Sequence, residues 1–441
     1  MITSILKKIP DIILPSDNIK IAITGLSRAG KTLFITSLVD QLLHQNRLDS
    51  ITASTSPFKV TLKPPLSNIK RFDYYTLIDT LKNGHIWPDS TDEISHIVLK
   101  FESKSRFSFL GTSSFTIELI DYPGEWLLDL TLLRLNYKEW SKKSITWLRS
   151  IDDIKAKEYL QTIDSLNNNT FDKEVQKRLY TQYKELLIHL KSQHYSQITP
   201  GRFVLPADLA NDPILHFAPI SKGSDKLEAI FKAKYKKYVK EVVKEIHLEH
   251  FKGFSRQVVL VDVLEALQSG YECYSDMKAG IKEMLQPYEH KNKNFFSQWL
   301  SPSIKSVLFV ATKADHVTAH QHTHFSMLLN DLVNEIRHDM DISHIQTQTQ
   351  LIASIKSTVT IEKEHKGEKL AFVRGILEEN SKLHDLYPGE MPSKFPSQKE
   401  WNAEMFGYQN FLPPQKTYGD NEALEHINMD KVIQKLIGDL L

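Results

Sequence analysis

Eight consecutive residues, Gly25-Leu26-Ser27-Arg28-Ala29-Gly30-Lys31-Thr32, follow the spacing G-x-x-x-x-G-K-[ST]. The chemistry such a run can do is to hold a polyphosphate. Backbone N–H groups from Ser27, Arg28, Ala29 and Gly30 through Leu33 converge on phosphate oxygens at a helix N-terminus. Lys31 neutralises the β- and γ-oxygens, and the Thr32 hydroxyl ligates Mg²⁺. The motif needs a strand before it and a helix after it, and the β-branched run Ile19 to Thr24 with a helical pattern beginning near Leu33 supplies both.

Three further segments follow in the order that a nucleotide switch requires. Asp121-Tyr122-Pro123-Gly124 ends the apolar run Phe115 to Ile120. An Asp there bonds a water of the Mg²⁺ shell, and the glycine N–H meets a γ-phosphate, so the segment can tell triphosphate from diphosphate. Thr312-Lys313-Ala314-Asp315 follows the run Val307 to Val310. A carboxylate in a base pocket accepts from the N1–H and 2-amino group of guanine, donors that adenine lacks, while the Lys313 stem covers the base. Ala353-Ser354-Ile355-Lys356, after the run Gln350 to Ser354, could back the guanine O6 with the N–H groups of Ser354 and Ile355. A threonine that caps Mg²⁺ when the γ-phosphate is present is expected at Thr91, with Thr52, Thr55 and Thr61 as competitors.

The candidates for catalysis are Lys31, Glu125 and Arg28. Glu125 directly follows the Gly124 glycine, where a water-orienting Gln often stands. A carboxylate can hold a water, but its charge opposes the γ-phosphate, so slow intrinsic hydrolysis is expected. Arg28 could bring positive charge to the transition state in cis or across a dimer.

These residues need a scaffold. Strand-sized β-branched runs separated by helical patterns predict an α/β fold, a mainly parallel sheet with helices on both faces. Between Trp126 and about Phe254 the strand signal nearly vanishes. Two helical stripes replace it: Val175, Leu179, Tyr183, Leu186, Leu187 and Leu190, then Leu227, Phe231, Tyr238, Val242 and Ile246. The expected organisation is a P-loop NTPase domain in two parts (1–125 and 255–360), an all-helical insertion (126–254), and an extension (361–441) packing back on the main domain. That extension reads as irregular after Thr358 until a last helix bearing Val432, Ile433, Leu436, Ile437 and Leu440.

Composition narrows the partners. In 441 residues, 55 Lys and Arg balance 54 Asp and Glu, so no global charge draws the chain to nucleic acid. The single cysteine, Cys273, allows neither an intrachain disulfide nor a thiolate zinc site. The apolar stretch Ile12 to Leu14 is broken by Pro10 and Pro15, and no run is long enough to span a bilayer, which predicts a cytoplasmic protein.

Taken together, Gly25 to Thr32, Asp121-Tyr122-Pro123-Gly124-Glu125-Trp126 and Thr312-Lys313-Ala314-Asp315-His316-Val317 resemble the bacterial YcjX family of stress-associated P-loop GTPases. Pro200-Gly201-Arg202-Phe203-Val204-Leu205-Pro206, Arg256 to Asp262 and Tyr387-Pro388-Gly389-Glu390 extend the resemblance over nearly the whole chain. It implies a Ras-like GTPase domain with a helical domain inserted after the Asp121 motif, GTP/GDP and Mg²⁺ as ligands, and a role in stress responses. Tyr387 to Glu390 reads as structural, because Asp385 stands one residue too far from Gly389.

His316, His320, His322 and His324 read as a solvated helix start rather than a metal site. The lysines of the helix Leu227 to Ile246 read as a solvated face, with peripheral contact with the inner membrane surface, a protein partner or activator and a homodimer left open. The leading functional expectation is a GTP-hydrolysing switch whose segment Asp121 to Trp126 moves the helical insertion with Trp126 as the lever. The alternatives are a nucleotide-loaded scaffold without useful turnover and an ATPase of related fold.

Overall fold

The computed structural model describes residues 18–26, 29–52, 57–64, 70–89, 93–104, 112–166, 173–246, 248, 253–285, 304–365, 367–402 and 406–441. Ser27, Arg28, Thr55 and Thr91 lie outside these, as does the Thr52 side chain.

Seven strands form one sheet: β1 Asn18–Gly25, β2 Phe58–Lys63, β3 Ser95–Lys104, β4 Thr112–Asp121, β5 Arg256–Val261, β6 Ser306–Ala311 and β7 Gln346–Leu351, in the order β2-β3-β4-β1-β5-β6-β7. β1 pairs in parallel with β4 and β5, and β6 and β7 continue the parallel run. β3 is antiparallel to both β4 and β2, which gives the sheet an antiparallel edge. The expected α/β class with a mainly parallel sheet is therefore met. The last strand, expected at Gln350 to Ser354, starts and ends earlier, and Ala353 to Lys356 form the loop after it.

Both faces of the sheet are covered, which is why its central strands are apolar at successive positions rather than at alternate ones. Ile21 and Ile23 of β1, Val258 and Leu260 of β5 and Leu308 and Val310 of β6 pack on the helices Lys31–His44 and Met429–Ile437. The intervening Ala22, Val259, Val261, Phe309 and Ala311 face the helices Gly270–Leu285 and His322–Ile342 and the helical region between β4 and β5. This is the period-two alternation of a pleated strand.

Between β4 and β5 lie the helices Glu125–Asp129, Tyr137–Ser150, Ile154–Asp164, Lys173–Ser192 and Asp225–Tyr238, the last continuing through a π-helical turn at Val239–Val243. Their starts are written in the sequence. Asn136 and Glu139 form a reciprocal capping box, Asp153 accepts from the Ala156 N–H (2.9 Å), and Ser224 accepts from the Leu227 N–H (3.2 Å). Both apolar stripes turn inward around Trp140, which stacks on Tyr235 at 5.2 Å between centroids and meets Tyr183 and Phe217 edge-on. Among the described residues no helix is long and apolar enough to cross a membrane.

The region after Thr358 departs from the expectation of irregular chain. β8 Val359–His365, β9 Glu368–Ile376 and β10 Leu383–Leu386 form a second, antiparallel sheet in the order β10-β9-β8. The strand Val-Thr-Ile-Glu-Lys-Glu-His carries three consecutive charged residues and only two apolar ones, so its signal is weak. The histidines are also corrected. His322 bonds the Ala314 carbonyl (2.9 Å), His324 bonds the Met391 carbonyl (2.8 Å), and the His316 ring sits edge-on to Phe411 at 5.1 Å; His320 and His324 are exposed, His316 and His322 partly buried. Three of the four thus bond or pack on surrounding structure, two of them away from solvent, and no cluster of metal-ligating side chains occurs among the described residues.

Candidate nucleotide site

β1 is the point from which the chain leaves in one direction toward β2 and β3 and returns on the other side as β5. Crevices at the carboxyl ends of strands form at such a place, and the phosphate loop lies there. Gly30 precedes the helix Lys31–His44 with φ 81°, a left-handed conformation that costs glycine little. Ala29, Gly30 and Leu33 line a cavity of about 370 Å³ that continues away from the loop.

At the phosphate end two motifs meet. Lys31 is 7% exposed, and its Nζ donates to the carbonyls of Gly25 and Leu26, each at 3.2 Å. Burial pushes its pKa down, only partly offset by Glu125 and Asp121. Thr32 Oγ1 donates to Asp121 Oδ2 at 3.0 Å. A hydroxyl and a carboxylate this close offer hard oxygen donors of the kind Mg²⁺ takes. Gly124 presses on the loop: a β-carbon there would stand 2.6 Å from the Gly25 carbonyl oxygen and 2.8 Å from Lys31 Nζ. Only a residue without a side chain fits.

Glu125 forms an ion pair with Lys191 near the end of the helix Lys173–Ser192. Burial alone would push the Glu125 carboxyl up, but Lys191 and then Lys31 outweigh it, and the group is held below the usual carboxylate range. The next residues bind the helical region more firmly. The Trp126 indole N–H donates to the Leu205 carbonyl (3.0 Å), and the Arg202 guanidinium lies 3.6 Å above the Trp126 ring. A β-carbon at Gly201 would run into the Glu125 carbonyl, and the Gly201 N–H donates to Asp129 at 2.8 Å. Asp129 also accepts from Tyr238 at 2.5 Å, and burial raises its pKa to about 6. The stretch Pro200 to Pro206 is thus the seat of Glu125 and Trp126.

At the base end Asp315 is buried, and its Oδ2 accepts from the Ser357 N–H (2.8 Å) and hydroxyl (2.7 Å), which fixes the carboxylate rotamer. Lys313, at φ 61°, pairs through Nζ with Asp262 at 2.7 Å. Burial would lower its pKa, but Asp262 raises it. Thr312, Lys313 and Asp315 line the same cavity as Ala29, Gly30 and Leu33, and Ser354 and Ile355 line it too. Ser37, on the helix after the phosphate loop, donates to the Ser354 carbonyl at 2.5 Å and ties the two loops together.

Several contributors carry no local signal. Ser357 stands one residue past the segment singled out in the sequence, Lys191 lies mid-insertion, and Trp87 and Phe411 line the base cavity from segments without a nucleotide motif. Thr61 falls in the edge strand β2 opposite Lys100.

A family model described as the YcjX-like family, DUF463, matches residues 19–441. A protein of Escherichia coli strain K12 named Ras-like GTPase YcjX is 33% identical over 450 residues, covering 96% of this chain and 96% of the relative. One of Shewanella oneidensis with the same name is 32% identical over 466 residues, covering 96% and 95%. With its seven-stranded α/β core and helical region, the chain belongs to the YcjX-like family.

Proposed function

We propose that this protein binds GTP and GDP in the cleft between the phosphate loop and Asp315 and hydrolyses GTP slowly, as a molecular switch. The observation that carries the reading is the convergence of Thr32, Asp121, Gly124 and Lys31 around the loop whose Ala29 and Gly30 line the same cavity as Asp315. Thr32 Oγ1 would hold Mg²⁺ directly and Asp121 through a water, with Thr91 the expected third contributor. When bound, the ion supplies charge neutralisation on the β- and γ-oxygens. Lys31 faces the same oxygens. Its contacts with the Gly25 and Leu26 carbonyls are weak enough to be exchanged for phosphate, to which an ammonium bonds more strongly.

Asp315 selects the base by accepting from guanine N1–H and its 2-amino group, and Ser357 holds the carboxylate in place for that purpose. Ser354 and Ile355 approach from the loop opposite. Glu125 orients the attacking water. Its pairing with Lys191 offsets the repulsion that a bare carboxylate would exert on the γ-phosphate. Arg28, within the loop, is a second source of positive charge. A γ-phosphate arriving beside Gly124 competes for the space that Gly124 occupies against Lys31, and the displacement passes through Glu125 and Trp126 to Lys191, Gly201 and Arg202. Residues 1–125 with 255–360 then act as the GTPase domain, 126–254 as the responding helical domain and 361–441 as an extension on the first. A role in bacterial stress responses, exercised in the cytoplasm, rests on family resemblance alone.

Calorimetric titration with GTP, GDP and ATP in Mg²⁺, followed by phosphate release, tests this. Guanine-selective binding and slow multiple-turnover release, both lost in Lys31→Ala, are expected. Equal ATP binding would remove Asp315 from the base contact. Binding without turnover would favour the second reading, a nucleotide-loaded scaffold, which the engagement of Glu125 by Lys191 supports.

A further inference from the structure

The cavity that ends at Asp315 has a wall that none of the nucleotide motifs supplies. Phe411 is 3% exposed and packs with Val373 and Leu377 beside the second sheet. Gly375 of β9 makes its seat, since a β-carbon there would stand 2.5 Å from the Phe411 ring. Backbone bonds fix the chain on both sides of it: the Glu378 N–H donates to the Asn410 carbonyl (3.0 Å), and the Leu412 N–H donates to the Ile376 carbonyl (2.8 Å).

From this seat the chain runs alongside the segment that brings Trp87 to the cavity. The Trp87 indole N–H donates to the Phe411 carbonyl at 2.7 Å, His85 bonds the Pro414 carbonyl at 2.9 Å, and Lys82 Nζ donates to the Glu422 carbonyl at 2.6 Å. The far end is anchored to the helix that starts in the phosphate loop. The Leu424 N–H donates to Asp40 at 2.6 Å, and Gln41 donates to the Leu424 carbonyl at 2.7 Å. A strap from Asn410 to Leu424 therefore joins β9, the Trp87 segment and the phosphate-loop helix across one side of the base cavity. Trp87 and Phe411, the two partners in the indole N–H bond, both line that cavity, with the His316 ring edge-on to Phe411.

We propose that residues 410–424 are a built-in purine clamp, in which Phe411 and Trp87 contact the nucleotide base and set how long the nucleotide stays bound. The clamp rests on the placement of the base at Asp315 argued above. Aromatic faces bind a purine without reading its edge, so the clamp governs retention while Asp315 governs identity. The coupling is reciprocal: a base in the cavity stabilises the strap, and an intact strap slows release.

The test is stopped-flow release of GDP carrying a ribose-attached fluorophore from the full-length protein. Phe411→Leu keeps an apolar side chain against Val373 and Leu377 but removes the ring, and Trp87→Phe keeps a ring but removes the N–H donor. Phe411→Leu is expected to speed release about tenfold. Trp87→Phe should speed it by a smaller factor, and both variants should keep guanine over adenine and a parent-like melting temperature. Release within twofold of the parent in both variants overturns the clamp. Asp315→Asn separates the two layers. If that variant loses guanine preference while Phe411→Leu and Trp87→Phe both release GDP within twofold of the parent, the clamp alone fails; if it keeps guanine preference, the base placement fails and the clamp with it.

Discussion

The two ends of the cleft are wired to different parts of the chain. At the phosphate end, Gly124, Glu125 and Trp126 lean on the helical region through Lys191, Gly201 and Arg202. At the base end, the walls are Trp87 and Phe411, held by the second sheet and the strap that follows it. In the proposed placement the phosphate end contains charges that would respond to one more or one fewer phosphate. The base end in that placement contains none that would, because its aromatic and Asp315 contacts would be common to GTP and GDP. A single nucleotide can thus send two messages, its phosphate count to the helical region and its presence to the C-terminal region.

The largest expected effect is common to both ends. Lys31→Ala removes the buried ammonium against the phosphates and should weaken both GTP and GDP about a hundredfold or more, measured by calorimetry. Asp315→Asn should act on the base end alone, lowering guanine affinity about tenfold to a hundredfold and favouring xanthine nucleotides, with the GTP to GDP ratio unchanged. Lys191→Met should act on the phosphate end alone. It leaves the Glu125 charge unbalanced beside the γ-phosphate, so GTP should weaken about tenfold more than GDP, and adding Glu125→Gln should restore the ratio. Failure of that rescue would break the separation of the two ends.

The smallest effect concerns the footing of the phosphate end. Burial holds Asp129 at about 6, against about 3.9 in an unfolded chain. Between these values the folded protein keeps a proton that the unfolded chain has lost, so this group makes stability fall as pH rises from about 4 to about 6 and adds no slope above that. Asp129→Asn does not titrate and should flatten the slope, measured by denaturant unfolding across that range.

The difference between the ends also decides what the sequence could reveal. Gly25 to Thr32 and Asp121 to Gly124 are contiguous, and each requires only its own strand end, so local spacing exposes them. Asp315 was legible for the same reason. Trp87 and Phe411 lie 324 positions apart, and their partnership is a tertiary bond with no periodic trace. Lys191 reads as the polar side of an amphipathic helix until the fold brings it to Glu125. β2, Phe-Lys-Val-Thr-Leu-Lys, alternates cleanly and could have been found by that pattern. β8 and β9 mix charge with β-branched residues on an exposed sheet, where apolar patterning has little to report. The helical region was visible as a gap in strand signal, yet its contact with Glu125 depends on Gly201, which no helical stripe marks.

Hydrogen–deuterium exchange on one preparation, loaded in turn with GDP and with a non-hydrolysable GTP analogue and compared with the nucleotide-free protein, tests the two-ended account most directly. The expected result is that 408–424 are protected equally by both nucleotides, while 187–206 change between GDP and the analogue. Equal protection of 187–206 in both states, or no protection of 408–424 in either, would contradict it.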